Sequence, residues 1–166
     1  MEIEKTLTVS ASRERVWALL LDPQVMGGAV PGMQSIEVVS PTEYVAVMHQ
    51  KISFISARFK LRTRIVEQRA PEYLRVEGTG EDTSVASSLK QRSEIFLSAT
   101  PDGGTELRIK IDVDLLGRLG AFGQAFDLAR GRHVFRQVEI VAAGLAGHGG
   151  GGDGQVVGQR VHHGVV

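Results

Sequence analysis

The residues able to do chemistry in this 166-residue chain are few and scattered. There are five histidines, His49, His133, His148, His162 and His163, and no cysteine. Lack of cysteine removes disulfides, thiol nucleophiles and cysteine-held zinc or iron–sulfur centres. Metal binding or acid–base work needs convergent His, Asp or Glu. Three of the histidines lie in a glycine-rich C-terminal stretch, His133 lies close before it, and His49 sits on a strand pattern with no inward acid beside it. No metal, cofactor or catalytic residue is therefore expected. The polar residues of interest are of another kind. Thr63, Ser87, Gln91 and Ser93 fall in the same alternating phase as large apolar neighbours, so they are expected on an inward sheet face. Hydroxyls and amides among apolar side chains can hold a carbonyl, and a fully closed core seldom leaves such groups unpaired.

The elements that would position these groups follow from periodicity. Glu2 to Val9 alternates Ile3, Lys5, Leu7 and Val9 against Glu2, Glu4, Thr6 and Thr8, which predicts a strand. Ser10 or Ser12 can cap a helix over 13–21 that buries Val16, Trp17 and Leu20, and Asp22-Pro23 ends it. A second short helix over 24–30 precedes a Pro31-Gly32 turn. Residues 33–114 then read as strands, at 34–39, 43–51, 55–67, 73–79 and 85–98, with a last one after the Thr100–Gly104 turn. The clearest, Ile55 to Glu67, sets Ala57, Phe59, Leu61, Thr63 and Ile65 against Arg58, Lys60, Arg62 and Arg64. A helix is expected from about Leu115, on the stripe Leu116, Leu119, Phe122, Phe126 and Ala129, with a phase slip at Gly131. Residues 1–146 thus form one domain, and 147–166 a Gly-rich tail without either period.

Charge bounds the partners. Nineteen basic residues balance nineteen acidic ones, against the basic excess of nucleic-acid binders. The row Arg58, Lys60, Arg62, Arg64 has no aromatics for stacking bases, so it reads as a wet sheet face paired to acids such as Glu67 and Glu77. The alternative for that row is docking on an anionic membrane or an acidic partner. The N-terminus lacks a basic start followed by an apolar run, and no apolar stretch approaches the ~20 residues of a spanning helix. A cytoplasmic protein is expected, at most peripheral to the inner face of a membrane.

The order strand, two helices, six strands, long helix is that of the helix-grip superfamily of START and SRPBCC domains. Within it the chain resembles the CoxG family of carbon monoxide dehydrogenase proteins. The resemblance lies in Arg13-Glu14-Arg15-Val16-Trp17 leading to Asp22-Pro23, Val30-Pro31-Gly32-Met33, Ala57-Arg58-Phe59-Lys60, Asp102-Gly103-Gly104-Thr105-Glu106-Leu107 and Gly117-Arg118-Leu119-Gly120-Ala121-Phe122-Gly123. It implies an α+β fold: a curved seven-stranded antiparallel sheet around a long C-terminal helix, with two short helices between the first two strands. It further implies a non-catalytic carrier of a lipophilic molecule, such as a quinone, serving a molybdenum hydroxylase of the carbon monoxide dehydrogenase type. The expected lining is Phe59, Leu61, Thr63, Leu89, Gln91, Ser93 and Ile109, with Leu119, Phe122 and Phe126 from the helix. Two other readings stand beside it: a cyclase or hydrolase using the same cavity, and an interaction module with a filled core.

Overall fold

The computed structural model describes residues 2–29, 32–52 and 54–120. Its elements in chain order are β1 (Glu2–Val9), α1 (Arg13–Leu20), α2 (Pro23–Ala29), β2 (Met33–Ser40), β3 (Glu43–Ile52), β4 (Ile55–Arg69), β5 (Tyr73–Asp82), β6 (Ser87–Ala99) and β7 (Thr105–Gly117). The strands form one antiparallel sheet in the order β1-β7-β6-β5-β4-β3-β2. It is a meander, except that β1 pairs with the last strand: Glu2 stands opposite Asp112 and Val9 opposite Thr105.

Both helices start on side-chain caps, as their sequences dictate. Ser12 accepts the N–H of Arg15 (3.4 Å), and Asp22 accepts those of Gln24 (2.9 Å) and Val25 (3.3 Å). Pro23 takes the first position of α2, where a missing N–H does no harm. Helix α1 lays Val16 and Trp17 against the sheet, and the buried Thr105 hydroxyl ties β7 to the loop before α1 by donating to the Ala11 carbonyl (2.8 Å). The face of the sheet that receives α1 is called the inner face.

The outer face is held by charge and aromatic pairs. Arg62 meets Glu43 (3.5 Å), while Glu67 and Glu77 pair with Arg69, Arg75 and Arg92 at 3.5–3.8 Å. The basic row of β4 was expected to use Glu67 and Glu77. Glu77 does stand opposite Arg64, but a bulge between Ile65 and Glu67 brings Glu67 opposite Arg75, and both acids make their ion pairs with arginines on β5, β6 and the end of β4. Across four strands, Arg69, Tyr73, Phe96 and Arg108 stack in series. Each guanidinium lies 4.4–4.6 Å over its ring, and the two rings are 5.1 Å apart. The Tyr73 hydroxyl donates to Glu94 (2.7 Å); burial first, and that carboxylate second, raise its pKa above 10.0.

One expectation is corrected. A helix beginning near Leu115 is not what forms, for β7 continues to Gly117 by pairing Leu115 with Leu89 and Leu116 with Ser88. Leu116, expected on the buried stripe, points outward and is 52% exposed. A C-terminal helix, residues Phe122 and Phe126, and the 147–166 segment lie outside the described residues.

Candidate ligand-binding site

The inner face carries two apolar clusters. One gathers Val9, Val16, Trp17, Ile65, Leu74, Ile95, Leu97, Leu107 and Ile109 beneath α1. The other joins Ala57, Phe59, Leu89 and Leu119, with Ile55, Leu61, Val85 and Leu115 packed against them, toward the β3–β4 hairpin. Ile65 on β4, Val76 on β5 and Ile95 on β6 belong to the first; Leu61 on β4 and Leu89 on β6 belong to the second.

Between them runs a polar seam. The register aligns Tyr44, Thr63, Gly78, Gln91 and Val113 in one row, with Ser93 one inward step further along β6. Thr63, Gln91 and Ser93 are all half-buried, and the Gln91 amide donates to the Ser93 hydroxyl. Thr63 and Gln91 reach toward each other across β5 because Gly78 has no side chain: a Cβ there would lie 3.0 Å from Gln91 Oε1 and 3.3 Å from Thr63 Oγ1. Gly80 does the same for the second cluster, where a Cβ would come within 2.3 Å of Leu61. Glycine weakens a strand interior, so two of them at alternate inward positions mark a close approach of the flanking side chains.

The expected lining residues therefore divide. Phe59, Leu61, Leu89 and Leu119 come together in one cluster, and Thr63, Gln91 and Ser93 form the seam beside it. Ile109 belongs to the cluster under α1 and does not join Phe59. Leu119 is fully buried, but it follows β7 through Gly117 (φ 84), and its N–H donates to Ser87 Oγ (3.0 Å). Ser87, one of the inward polar positions, is thereby used to pin that turn, and its own hydroxyl donates to the Val85 carbonyl (3.2 Å). Gly78 and Gly80 went unread in the sequence; their alternation in Glu77-Gly78-Thr79-Gly80-Glu81 was the available signal.

Among the described residues no three His, Asp or Glu side chains could hold a metal ion. His49 shares a hydrogen bond with Ser56 on the hairpin. Trp17 packs in the first cluster. The buried carboxylate of Asp82 closes the β5–β6 turn. It accepts the Ser84 hydroxyl, the Ser84 N–H (2.8 Å) and the Arg58 N–H. Burial pushes its pKa upward, yet these hydrogen bonds and one from the Val85 N–H prevail and hold it below 3.8. A shallow cleft of about 380 Å³ on the far side, lined by Arg13, Arg69, Glu72, Tyr73 and Phe96 among others, includes the Arg13–Glu72 ion pair (3.8 Å).

A capped helix pair set between the first two strands of a seven-stranded antiparallel sheet is a START-like arrangement. A conserved protein from Geobacillus kaustophilus superposes with a TM-score of 0.78 at 17% identity, over 89% of this chain and 96% of that one. A START superfamily protein from Mycobacterium smegmatis does so with a TM-score of 0.61 at 15% identity, over 87% and 98%. A protein from Arthrobacter aurescens matches with a TM-score of 0.63 at 14% identity, over 98% and 92%. These likenesses establish the fold. The chain itself belongs to the CoxG family of carbon monoxide dehydrogenase proteins, whose model matches residues 6–126. No curated protein matches it.

Proposed function

We propose that the protein is a non-catalytic carrier of a lipophilic small molecule, bound on the inner face with its apolar body on the Phe59–Leu89–Leu119 cluster and its polar head at the Thr63–Gln91–Ser93 seam. The observation that carries this reading is the seam itself, a row of two hydroxyls and an amide between apolar clusters. Such groups are un-ionised at neutral pH and can donate hydrogen bonds that orient a carbonyl. Apolar burial would supply the affinity at ~25 cal/mol per Å², and the hydrogen bonds the orientation. A quinone, with an isoprenoid tail and ring carbonyls, has this division. Membership of the CoxG family supports service to a carbon monoxide dehydrogenase of the molybdenum hydroxylase type, as an accessory or recruitment factor in the cytoplasm. Among the described residues no helix is long and apolar enough to cross a membrane, and contact with the bilayer would be peripheral.

Native mass spectrometry with organic extraction tests the reading. A lipophilic compound should leave with the protein, and Gln91→Leu combined with Thr63→Val should lower its occupancy about tenfold while the fold is kept, since two hydrogen bonds at ~0.5–1.5 kcal/mol each are removed. Protein that carries nothing and fails to bind quinone analogues would overturn it.

A further inference from the structure

The outer face of the sheet carries its charges in ordered rows. Register aligns Arg64, Glu77, Arg92 and Asp112 across β4, β5, β6 and β7, a series of alternating sign. The next row, Glu67, Arg75, Glu94 and Lys110, alternates in the opposite sense. On the other side, Arg62, Thr79, Lys90 and Asp114 begin basic and end acidic. Each row thus carries opposite signs at its two ends, in a chain of zero formal net charge. The ion pairs inside the rows are long. Glu77 lies 3.8 Å from both Arg75 and Arg92, and Glu67 lies 3.8 Å from Arg75, beyond the ~2.7–3.2 Å of a hydrogen bond. Arg64, Lys90 and Asp114 are exposed and enter no ion pair among the described residues. Groups held this loosely keep donors and acceptors for further partners.

We propose that this face pairs with the same face of a second copy of the chain. A twofold axis lying along the sheet between β5 and β6 sets β4 over the other copy's β7, and β5 over its β6. Arg64 then faces Asp112 of the second copy, and Glu77 faces its Arg92. In the flanking rows Arg62 faces its Asp114, Arg75 its Glu94 and Glu67 its Lys110. The reason is symmetry: a row whose signs invert from end to end is complementary to itself when turned round. One row further on, Tyr73 meets Phe96 of the second copy, and the end arginines of that row, Arg69 and Arg108, are already held by Glu67 (3.5 Å) and Glu4 (3.8 Å). A uniform polyanion fits this face poorly, because every cation of the two alternating rows has a carboxylate next to it. An alternating surface of the same spacing is what matches, and the chain itself supplies one. Four strands and four rows span about 19 Å by about 27 Å, so two copies bury on the order of 1,000 Å². That is the low end for a specific interface, and its contacts are exposed ion pairs, so the dimer is weak, reversible and sensitive to salt.

Sedimentation velocity of the full chain tests the pairing. At about 100 μM protein and low salt the native chain should be mostly dimeric, and about 0.5 M salt should weaken the dimer about tenfold. Arg62→Glu with Arg64→Glu should sediment as a monomer, and so should Asp112→Lys with Asp114→Lys, each keeping the native circular-dichroism spectrum. Mixed in equal amounts, the two variants should form a dimer again, since each now carries the charges that the other requires. Arg64→Gln, which introduces no repulsion, should weaken the dimer several-fold and preserves the test if a charge reversal unfolds the chain. A native chain that stays monomeric at about 100 μM in low salt overturns the pairing. So does a dimer indifferent to salt, or a mixture that associates no better than either variant alone. A dimer lost instead on Val38→Lys overturns it too, for the contact would then be the β2 edge, where Val38 and Val39 are 52% and 53% exposed.

Discussion

At the scale of single residues, Asp82 shows how an inward acid is held ionised by the backbone and side chain around it. Its carboxylate gathers donors from β4 and from its own turn, the Arg58 N–H and the Ser84 N–H and hydroxyl. These bonds exist for the ionised form, so its folded pKa lies below the ordinary 3.8. A depressed carboxylate contributes stability that is fully present above the unfolded pKa and is lost as pH falls through the folded one. Urea unfolding between pH 7 and pH 2 should therefore show a decline beginning near pH 4 to which Asp82 contributes. Asp82→Asn sets an amide N–H against backbone donors and should lower stability at pH 7 by about 1–3 kcal/mol. It should also flatten the acid decline; an unchanged pH profile would show that the carboxylate is not clamped.

At the scale of elements, the strand pattern was legible wherever one face is wet. Period two across β4 fixed which residues point inward, and with them Thr63; the same phase on β6 gave Gln91 and Ser93. What sequence could not show is how far that face is divided, since the register across β4, β5, β6 and β7 decides which inward residues share a cluster. Ile109 has the right phase but the wrong cluster for this reason. The end of β7 was misread because Leu115, Leu116 and Leu119 suit a helical stripe as well as a strand. Pairing with β6 settles it, and Gly117 makes the exit. With φ at 84, a Cβ there would lie 2.1 Å from the Ala86 carbonyl oxygen, a backbone atom that cannot swing aside. Gly117→Ala should thus destabilise by more than about 2 kcal/mol. It should also release Leu119 from Ser87, visible as faster amide exchange at Leu119 than at Leu97.

At the scale of the whole molecule, one sheet carries both apolar clusters, and β1 completes the one beneath α1 by adding Val9 and Leu7 beside Leu107. Removing residues 2–9 should abolish the cooperative urea transition followed by Trp17 fluorescence, because β7 would lose its backbone partners along with that apolar cover.

The pairing of Glu2 with Asp112 also sets an order of assembly. Strand β1 must wait for β7 to emerge from the ribosome, since Val9 pairs with Thr105 and Glu2 with Asp112. Neighbouring hairpins from β2 to β7 can form as they appear, and the opening segment zips on afterward. Such distant closure slows folding, so a chain arrested before its seventh strand offers its leading edge to whatever chaperone or stray strand arrives first.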